Sequence, residues 1–324
     1  MDARRPLLVV VTGPTGAGKS ALALELAGLL EDRAPVEIIS ADSAQVYRGM
    51  DIGTAKPSSE IRARVRHHLI DIRNPIESYS AGDFVRDARE AILTIHARGR
   101  IPLLVGGTML YLRALHDGLA ELPTASASVR QAIDAQAASQ GWPALHAELA
   151  RVDPKAAAHI ARSDAQRIQR ALEVYRLTGV PITAWQRRTH GAIEEFRWLR
   201  FALVPESRIE LQRTLAARFE QMLQAGLLQE VRHLQAQWDL TERHPSMRAV
   251  GYRQLCRFLR AECSLEEATQ QAVRATAQLA KRQLTWLRRE EHMMKVTANA
   301  AGQAASIAQA ILSQALAHDR PGAQ

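Results

Sequence analysis

The stretch Gly13-Pro14-Thr15-Gly16-Ala17-Gly18-Lys19-Ser20 decides the fold of this 324-residue chain. It follows an apolar run, Leu7–Val11, and precedes a segment, 22–30, in which leucines recur at helical spacing. A strand, a glycine-rich turn and a helix in that order form a phosphate cradle, because backbone N–H groups turn inward and the helix adds its positive N-terminal end. Lys19 can neutralise the outer phosphates, and the Ser20 hydroxyl suits a Mg²⁺ ligand. The sequence therefore predicts a site for a di- or triphosphate.

Composition indicates a globular protein with an anionic partner. Hydrophobic residues make up 47% of the chain and charged residues 23%, as in ordinary soluble domains. The formal net charge is +8, and only five of the 42 basic residues are lysines. Because the planar guanidinium of arginine suits phosphate recognition, RNA or DNA is a more plausible partner than a membrane surface.

The cysteine count and the length of the apolar runs indicate where in the cell the protein is expected. Cys256 and Cys263 are the only cysteines, which excludes a disulfide framework and a four-cysteine zinc site. The apolar run near the N-terminus is too short for a membrane span or a signal-peptide core. We therefore expect a cytoplasmic protein with no membrane association.

Short apolar runs alternate with helical stretches, which predicts a parallel sheet covered by helices on both faces. The candidate strands are Leu7–Thr12, Val36–Ser40, His68–Asp71, Ile101–Val105 and Leu199–Val204. Apolar residues from Phe84 to Ile95 indicate a helix between the third and fourth strands, and Ser80 with Asp83 forms a capping box at its start. This order resembles a P-loop nucleotide-binding core, so we predict an α/β fold.

The segment from residue 121 to residue 195 has a different character. Alanine, glutamine and arginine dominate it, and its candidate helices are Ser128–Gln140, Trp142–Val152, Lys155–Ile160 and Ala165–Thr178. We interpret it as an all-helical insertion domain, so that the core comprises residues 1–120 and 196–296. Helices are also expected at Arg208–Ala225, Leu228–Gln237, Met247–Leu259, Leu265–Ala272 and Arg274–Arg289. The alanine- and glutamine-rich residues 297–324 are expected to form a poorly ordered tail.

Two further strand ends carry polar residues, and ligands bind at the carboxyl ends of strands in open parallel sheets. The second strand leads into Ala41-Asp42-Ser43-Ala44-Gln45, and the fourth leads into Gly106-Gly107-Thr108. We expect Asp42 and Thr108 to converge beside the phosphate cradle. Asp42 could accept a proton from an incoming nucleophile or could cap the turn at its strand end, and the residues alone leave both roles open.

Basic residues form two clusters that could bind RNA. The first is Gln166-Arg167-Ile168-Gln169-Arg170, in the insertion. In the second, Arg274, Lys281 and Arg288 recur every seven residues along one helix face, close to Arg282, Arg289 and Trp286. Just upstream, Arg248 and Arg253 bracket Gly251 and Tyr252. Cations beside aromatic rings suit an unstacked base, although each cluster alone is more typical of a solvated helix face.

Taken together, these segments resemble the tRNA dimethylallyltransferase family, also called tRNA isopentenyltransferase, in its bacterial form. The matching motifs extend from about residue 7 to residue 290. They are residues 13–20, Ser40-Ala41-Asp42-Ser43 through Lys56-Pro57, and residues 105–111, 164–173, 247–254 and 280–288. The chain departs from the family at Ala161-Arg162-Ser163, where members commonly have His-Pro-Asn.

The resemblance implies that a dimethylallyl group is transferred from dimethylallyl diphosphate to N6 of adenosine 37, in tRNAs that read codons beginning with U. Gly13 to Ser20 would then hold the diphosphate, with Arg218 as a further contact and Mg²⁺ at Ser20. Lys19 would stabilise the leaving group, Asp42 would take the N6 proton and Thr108 would position the reacting groups.

The resemblance also implies that the protein binds the anticodon stem-loop of tRNA, and we expect it to be a monomer. The implied tRNA contacts are Asp42, Ser43, Ala44, Gln45, Thr108, Arg130, Gln166, Arg167, Ile168, Gln169, Arg170, Arg248, Gly251, Tyr252, Arg253, Lys281, Arg282 and Arg288.

Three other functions remain open from the sequence. A P-loop nucleoside or nucleotide kinase would need ATP and would leave the basic helix face of Arg274, Lys281 and Arg288 unexplained. An isopentenyltransferase acting on free AMP would not need the long helical insertion. A non-enzymatic RNA-binding protein would not need an intact cradle. A motor ATPase is disfavoured, because no apolar run ending in an acidic metal ligand follows the cradle.

Overall fold

The computed structural model describes residues 5–120, 122–185, 191, 193–298 and 300–316. Within them, six strands form one sheet in the order β3-β2-β4-β1-β5-β6, with every neighbouring pair parallel. The strands are β1 (Leu7–Thr12), β2 (Val36–Ser40), β3 (His67–His68), β4 (Ile101–Gly106), β5 (Arg197–Val204) and β6 (Met294–Thr297). The predicted parallel α/β sheet is therefore confirmed.

Helices accompany the strands throughout the chain. They are α1 (Lys19–Leu30), α2 (Ser59–Arg64), α3 (Ala81–Ala97), α4 (Met109–Asp117), α5 (Ala127–Gln140), α6 (Trp142–Val152), α7 (Pro154–His159), α8 (Ala165–Thr178), α9 (Ile182–Trp185), α10 (Arg208–Gln224), α11 (Leu227–Trp238), α12 (Tyr252–Leu259), α13 (Leu265–Arg288) and α14 (Gln303–Leu316). The predicted capping box at α3 is confirmed: Ser80 Oγ accepts from the Asp83 N–H, and the Ser80 N–H donates to Asp83 Oδ2. None of the helices that the structure describes is long and apolar enough to cross a membrane.

The chain divides into two compact units. One comprises residues up to 115 together with residues from 193 onward, and it contains the sheet. In its core, Val9 and Val11 of β1 lie with Leu22 and Leu26 of α1, all fully or nearly fully buried. Apolar spacing along both elements therefore places α1 on the sheet.

The second unit comprises residues 116–192, and its described residues are helical with no strand. It has a core of its own, in which Ile133, Leu145, Leu149, Ile168 and Leu172 are fully buried. This unit spans nearly the same residues as the predicted insertion. Its last long helix, α8, begins where the Asp164 carboxylate accepts the Arg167 N–H and ends at Gly179, which has a left-handed backbone.

Several predicted boundaries are wrong for local reasons. Strand β3 ends at His68 because Leu69 and Asp71 adopt positive φ angles of 62° and 57°. The helix predicted at Met247–Leu259 is broken, since Gly251 adopts a non-helical φ of 93° and ψ of −61°, and only a short 3₁₀ turn (Ser246–Arg248) precedes it. The two helices predicted between residues 265 and 289 form one continuous helix, α13.

The predicted poorly ordered tail is also wrong for residues 303–316. They form α14, in which Ala304, Ile307 and Ile311 are buried in the same core as α1. Strand β6 was not among the predicted strands. Its four residues are mostly exposed, so they carry no apolar pattern that would distinguish them from a loop.

Candidate active site

The glycine-rich turn lies at the carboxyl end of β1 and leads into α1. Gly16 and Gly18 both have a φ of 80°, a left-handed conformation that glycine adopts at little cost. Thr15, Gly16, Gly18, Lys19 and Ser20 line a cavity of about 660 Å³. The turn predicted to hold phosphate therefore borders a space large enough for a substrate.

Three residues of the turn, Gly13, Pro14 and Ala17, are outside the cavity lining. Gly13 instead allows close packing on β5, since a Cβ atom there would lie 2.8 Å from the Leu203 carbonyl oxygen. The absence of a side chain at Gly13 therefore lets the turn after β1 pack closely against β5, and Gly13 does not contact the cavity.

The ends of β2 and β4 are joined beside this turn. The Ala41 N–H donates to the Val105 carbonyl at 2.8 Å, and the Thr108 N–H donates to the Ala41 carbonyl at 3.2 Å. Gly106 permits this approach, because a Cβ atom there would lie 2.2 Å from the Ala41 oxygen. Asp42 and Thr108 both line the cavity, so their predicted convergence beside the cradle is confirmed.

The Asp42 carboxylate uses one oxygen to hold its own turn. Asp42 Oδ1 accepts the Ala44 N–H at 2.8 Å and the Gln45 N–H at 3.4 Å. Asp42 Oδ2 makes no hydrogen bond within the described part of the chain. The capping role left open by the sequence is therefore real, and the second oxygen is still available to a substrate.

Thr108 and Ser43 connect the two strand ends through a side chain. The Ser43 N–H donates to Thr108 Oγ1 at 3.2 Å, which leaves the hydroxyl proton of Thr108 free to donate. The hydroxyl can thus donate to a substrate atom in the cavity that also receives Asp42.

Cations dominate the charge around the cavity. Among the described residues that line it, Lys19, Arg218, Arg248 and Arg282 are cationic and Asp42 is the one carboxylate. Burial lowers the pKa of Arg218, and the Asp42 charge opposes this shift. Such an excess of positive charge in a concave site favours an anionic ligand.

Lys19 lies at the centre of these charges. Its Nζ donates to the Pro14 carbonyl at 2.8 Å. Its pKa is lowered to about 8, chiefly because burial disfavours the charged ammonium; Asp42 opposes the shift and Arg218 adds to it. The lysine is therefore close enough to Asp42 and Arg218 for all three charges to act on one ligand.

The rest of the cavity wall is mostly apolar. It includes Met109, Leu215, Phe219, Met222, Leu279 and Trp286. The Arg113 guanidinium lies 5.6 Å from the centre of the Trp286 ring. A ligand with one anionic end and one apolar end matches this division of the surface.

Gln283 is a polar residue of the site whose structural role was not predicted. Gln283 Oε1 accepts the Thr15 N–H at 2.8 Å, and Gln283 Nε2 donates to the Gly107 carbonyl at 2.8 Å. Gln283 lies on the buried face of α13, between Ala280 and Leu287. A polar residue at an apolar position of an amphipathic helix was the signal that could have revealed it.

A second missed residue, Glu230, holds the loop that follows β2. Its carboxylate accepts the N–H groups of Asp51, Ile52 and Gly53 at 2.9, 2.7 and 3.2 Å, and the Tyr252 hydroxyl at 2.5 Å. Burial and the Glu230 charge raise the pKa of Tyr252. Tyr252 is fully buried, so the prediction that its ring is free to stack on a base is wrong.

Comparison with known proteins decides the family. The family described as IPP transferase matches residues 45–290, about three quarters of the chain. The chain belongs to the IPP transferase family. The resemblance found in the motifs is thereby confirmed.

Individual relatives align over 87–88% of this chain. It is 54% identical to the tRNA dimethylallyltransferase of Aromatoleum aromaticum, over 88% of each chain, and 53% identical to that of Bordetella pertussis, over 87% of this chain and 89% of the relative.

Solved structures give the same result. The tRNA isopentenylpyrophosphate transferase of Bacillus halodurans aligns with 35% identity and a TM-score of 0.69, over 97% of this chain and 98% of that one. A eukaryotic dimethylallyltransferase acting on tRNA aligns with 26% identity and a TM-score of 0.78, over 98% of this chain and 81% of that one. The fold of this chain, including its P-loop core, is therefore shared with these enzymes.

The residues implied to contact tRNA differ in how accessible they are in this structure. Those exposed on its surface are Ser43, Arg130, Gln166, Arg167, Arg248, Arg253, Lys281, Arg282 and Arg288. Ala44, Gln45, Gln169 and Arg170 are half-buried, as is Thr108. Ile168 is fully buried in the core of the helical unit, so the prediction that it contacts RNA is wrong. Gly251 is also buried and shapes the start of α12.

Four of these residues already have partners within the helical unit. Arg167 forms an ion pair of 3.4 Å with Asp164. Arg130 Nε and Arg170 Nη1 donate to the buried Glu173 carboxylate at 2.9 and 2.7 Å. Gln169 Nε2 donates to Asp134 at 2.6 Å. Burial alone would raise the pKa of Glu173, but the hydrogen bonds from the arginines and their charge lower it below its ordinary value. Arg130 and Arg170 therefore stabilise the unit, whether or not they also contact RNA.

The described residues contain no group of three or more His, Cys, Asp or Glu side chains that could hold a metal ion. His67 and His68 bond separately, to the Val65 carbonyl and to Glu37. Of the two thiols, Cys256 is buried, and Cys263 is half-buried in the connection between α12 and α13.

Proposed function

We propose that this protein transfers a dimethylallyl group from dimethylallyl diphosphate to N6 of adenosine 37, in tRNAs that read codons beginning with U, and releases diphosphate. The observation that carries the proposal is one cavity with a phosphate cradle, four cations, an apolar wall and one available carboxylate oxygen. The tRNA dimethylallyltransferases at 53–54% identity support it.

In this proposal, the diphosphate is the leaving group of the donor. The N–H groups of the turn, the Lys19 ammonium and the Arg218 guanidinium bind its oxygens, and the apolar wall receives the five-carbon chain. Charge grows on the diphosphate as the allylic C–O bond breaks, so fixed cations stabilise the transition state more than the ground state.

The cradle also fits Mg²⁺. The Ser20 hydroxyl lies in the first turn of α1, lines the cavity and makes no hydrogen bond within the described residues. Mg²⁺ takes few protein ligands and completes its shell with phosphate oxygens and water, which matches a single free hydroxyl beside an anion site. Ser20 would hold the ion, which when bound supplies neutralising charge to the diphosphate.

Asp42 and Thr108 act on the acceptor base. The N6 lone pair forms the new C–N bond to the allylic carbon, the C–O electron pair leaves with the diphosphate, and Asp42 Oδ2 takes one N6 proton. The free hydroxyl proton of Thr108 donates a hydrogen bond that positions the reacting groups. Asp42 Oδ1 keeps its hydrogen bond to the Ala44 N–H, so the carboxylate does not need to move in order to act as the general base.

The exposed basic residues supply the tRNA surface in this proposal. Lys281, Arg282 and Arg288 on α13, with Arg248 and Arg253 just before and in α12, bind phosphates of the anticodon stem-loop. Gln166 and Arg167 of the helical unit extend the contact. Because N6 is inaccessible within a stacked loop, the target base leaves the stack to enter the cavity.

The decisive experiment combines the purified protein, Mg²⁺, radiolabelled dimethylallyl diphosphate and unmodified tRNA carrying A36-A37-A38. We expect label in the tRNA without ATP, and none when A37 is replaced. Transfer to free AMP but not to tRNA would identify a mononucleotide prenyltransferase. ATP consumption with a nucleoside, and no prenyl transfer, would identify a kinase.

A further inference from the structure

Gln283 bridges two loops that belong to different strand ends. Its amide oxygen accepts the N–H of Thr15, inside the phosphate cradle, and its amide nitrogen donates to the carbonyl of Gly107, next to Thr108. Both bonds measure 2.8 Å, and the residue is only 8% exposed. One side chain therefore fixes the spacing between the donor site and the acceptor site.

The fit around this amide is close. A Cβ atom at Gly107 would lie 2.5 Å from Gln283 Nε2 and 3.1 Å from the Gly13 carbonyl oxygen. The lack of a side chain at residue 107 thus lets the amide enter between the turn and the end of β4. A buried amide with both its oxygen and nitrogen bonded to backbone has little freedom to take another position.

The helix that carries Gln283 has two opposite faces. Ala280, Gln283 and Leu287 are buried, whereas Lys281 and Arg288 are exposed and unpaired within the described residues. Both faces belong to one continuous helix of 24 residues, so a displacement of α13 moves its exposed and buried side chains together.

We propose that Gln283 is a positioning residue that couples RNA bound on the exposed face of α13 to the geometry of the phosphate cradle. This inference rests on the proposed function, since it assumes that α13 binds RNA and that the cradle binds diphosphate. A shift of α13 moves the Thr15 N–H and the Gly107 carbonyl together, so RNA and diphosphate each change the affinity of the other.

The test measures this coupling without turnover. The dissociation constant of inorganic diphosphate with Mg²⁺ is determined by calorimetry, alone and with a saturating anticodon stem-loop RNA, and the ratio is the coupling factor. The variants are Gln283→Met, which keeps the length but loses both hydrogen bonds, and Gln278→Met as a matched control. Gln278 is exposed on the same helix and makes no hydrogen bond within the described residues.

For the wild type and the control we expect a coupling factor of about fivefold or more in either direction, the ordinary range for two linked sites. In Gln283→Met it should fall to near one, and the RNA affinity measured alone should stay within about twofold because the basic face is intact. An unchanged coupling factor in Gln283→Met, or a factor of one in the wild type, would overturn the inference. A wild type that binds neither RNA nor diphosphate would instead refute the proposed function.

A second variant keeps the test valid if Gln283→Met unfolds. Gln283→Glu retains an acceptor for the Thr15 N–H but sets a carboxylate oxygen against the Gly107 carbonyl. We expect the coupling to be lost, and the diphosphate affinity to fall by about tenfold because a negative charge now lies beside the cradle. Wild-type values for both quantities would contradict the positioning role.

Discussion

Replacing Asp42 with asparagine separates the two roles that its carboxylate can play. Asparagine keeps an Oδ1 that can accept the Ala44 N–H, a bond of 2.8 Å in the wild type, so the turn after β2 should be preserved. It loses the second carboxylate oxygen, which the proposed mechanism uses to take the N6 proton. Alanine at the same position removes both.

The expected magnitudes follow from these contacts. Losing a general base costs about a hundredfold or more in turnover, so both variants should be slow. Only Asp42→Ala should lose stability, by about 1 kcal/mol for one good hydrogen bond and one long one. In a chain of this size that corresponds to a fall in Tm of roughly 2 °C.

The assay is single-turnover prenyl transfer to tRNA, beside thermal unfolding and RNA affinity for each variant. It should be run near neutral pH, because the Asp42 charge supports protonation of Lys19 and its removal lowers the pKa of that lysine below about 8. A wild-type rate in Asp42→Asn would refute the base role and leave Asp42 as a turn cap. A slow Asp42→Asn with normal Tm and RNA affinity would support the mechanism.

Three further perturbations test other parts of the site. Since the pKa of Lys19 is about 8, its ammonium is charged below that pH and neutral above it, so diphosphate affinity should fall as pH rises through this value; calorimetry that shows constant affinity well above it would contradict this role. Gly106→Ala should lower Tm markedly, because a Cβ atom there would lie 2.2 Å from a backbone oxygen, whereas Gly28→Ala, with nothing within 4 Å on α1, should raise stability by about 0.5 to 1 kcal/mol. Arg288→Ala should reduce the slope of log affinity for tRNA against log salt by about 1, the loss of one phosphate contact. Arg33 is exposed just after the C-terminal end of α1, so Arg33→Ala should leave that slope unchanged. Equal slopes for both variants would mean that Arg288 contacts solvent and not tRNA.

Elements with strong local signals could be predicted closely from the sequence. The bounds of β1, β2, α6 and α8 agree with the structure, because continuous apolar runs, periodic apolar residues and capping side chains act within a few residues. Predictions failed where that local signal was absent. Strand β6 is mostly exposed, and the break before α12 depends on one glycine held at an unusual backbone angle.

The candidate site was predictable where it follows from sheet topology. Parallel strands end at one edge, so the residues after β1, β2 and β4 had to meet, and Asp42 and Thr108 do. Residues contributed by remote helices were not predictable in this way. Gln283 bonds to backbone groups 268 and 176 residues away, and Glu230 bonds to backbone groups 177–179 residues away. No spacing rule connects such positions.

The sequence by itself determined the phosphate cradle, the parallel sheet and the basic character of α13, since each depends on neighbouring residues or on a period within one element. Only the tertiary structure decided which side chains face inward at the site. Tyr252 is buried and bonds to Glu230, and Ile168 is buried in the core of the helical unit. Gln283 connects two strand ends through hydrogen bonds. The physical reason is that burial and hydrogen-bond partners depend on packing between elements distant in the chain, and composition or periodicity within one element does not specify that packing.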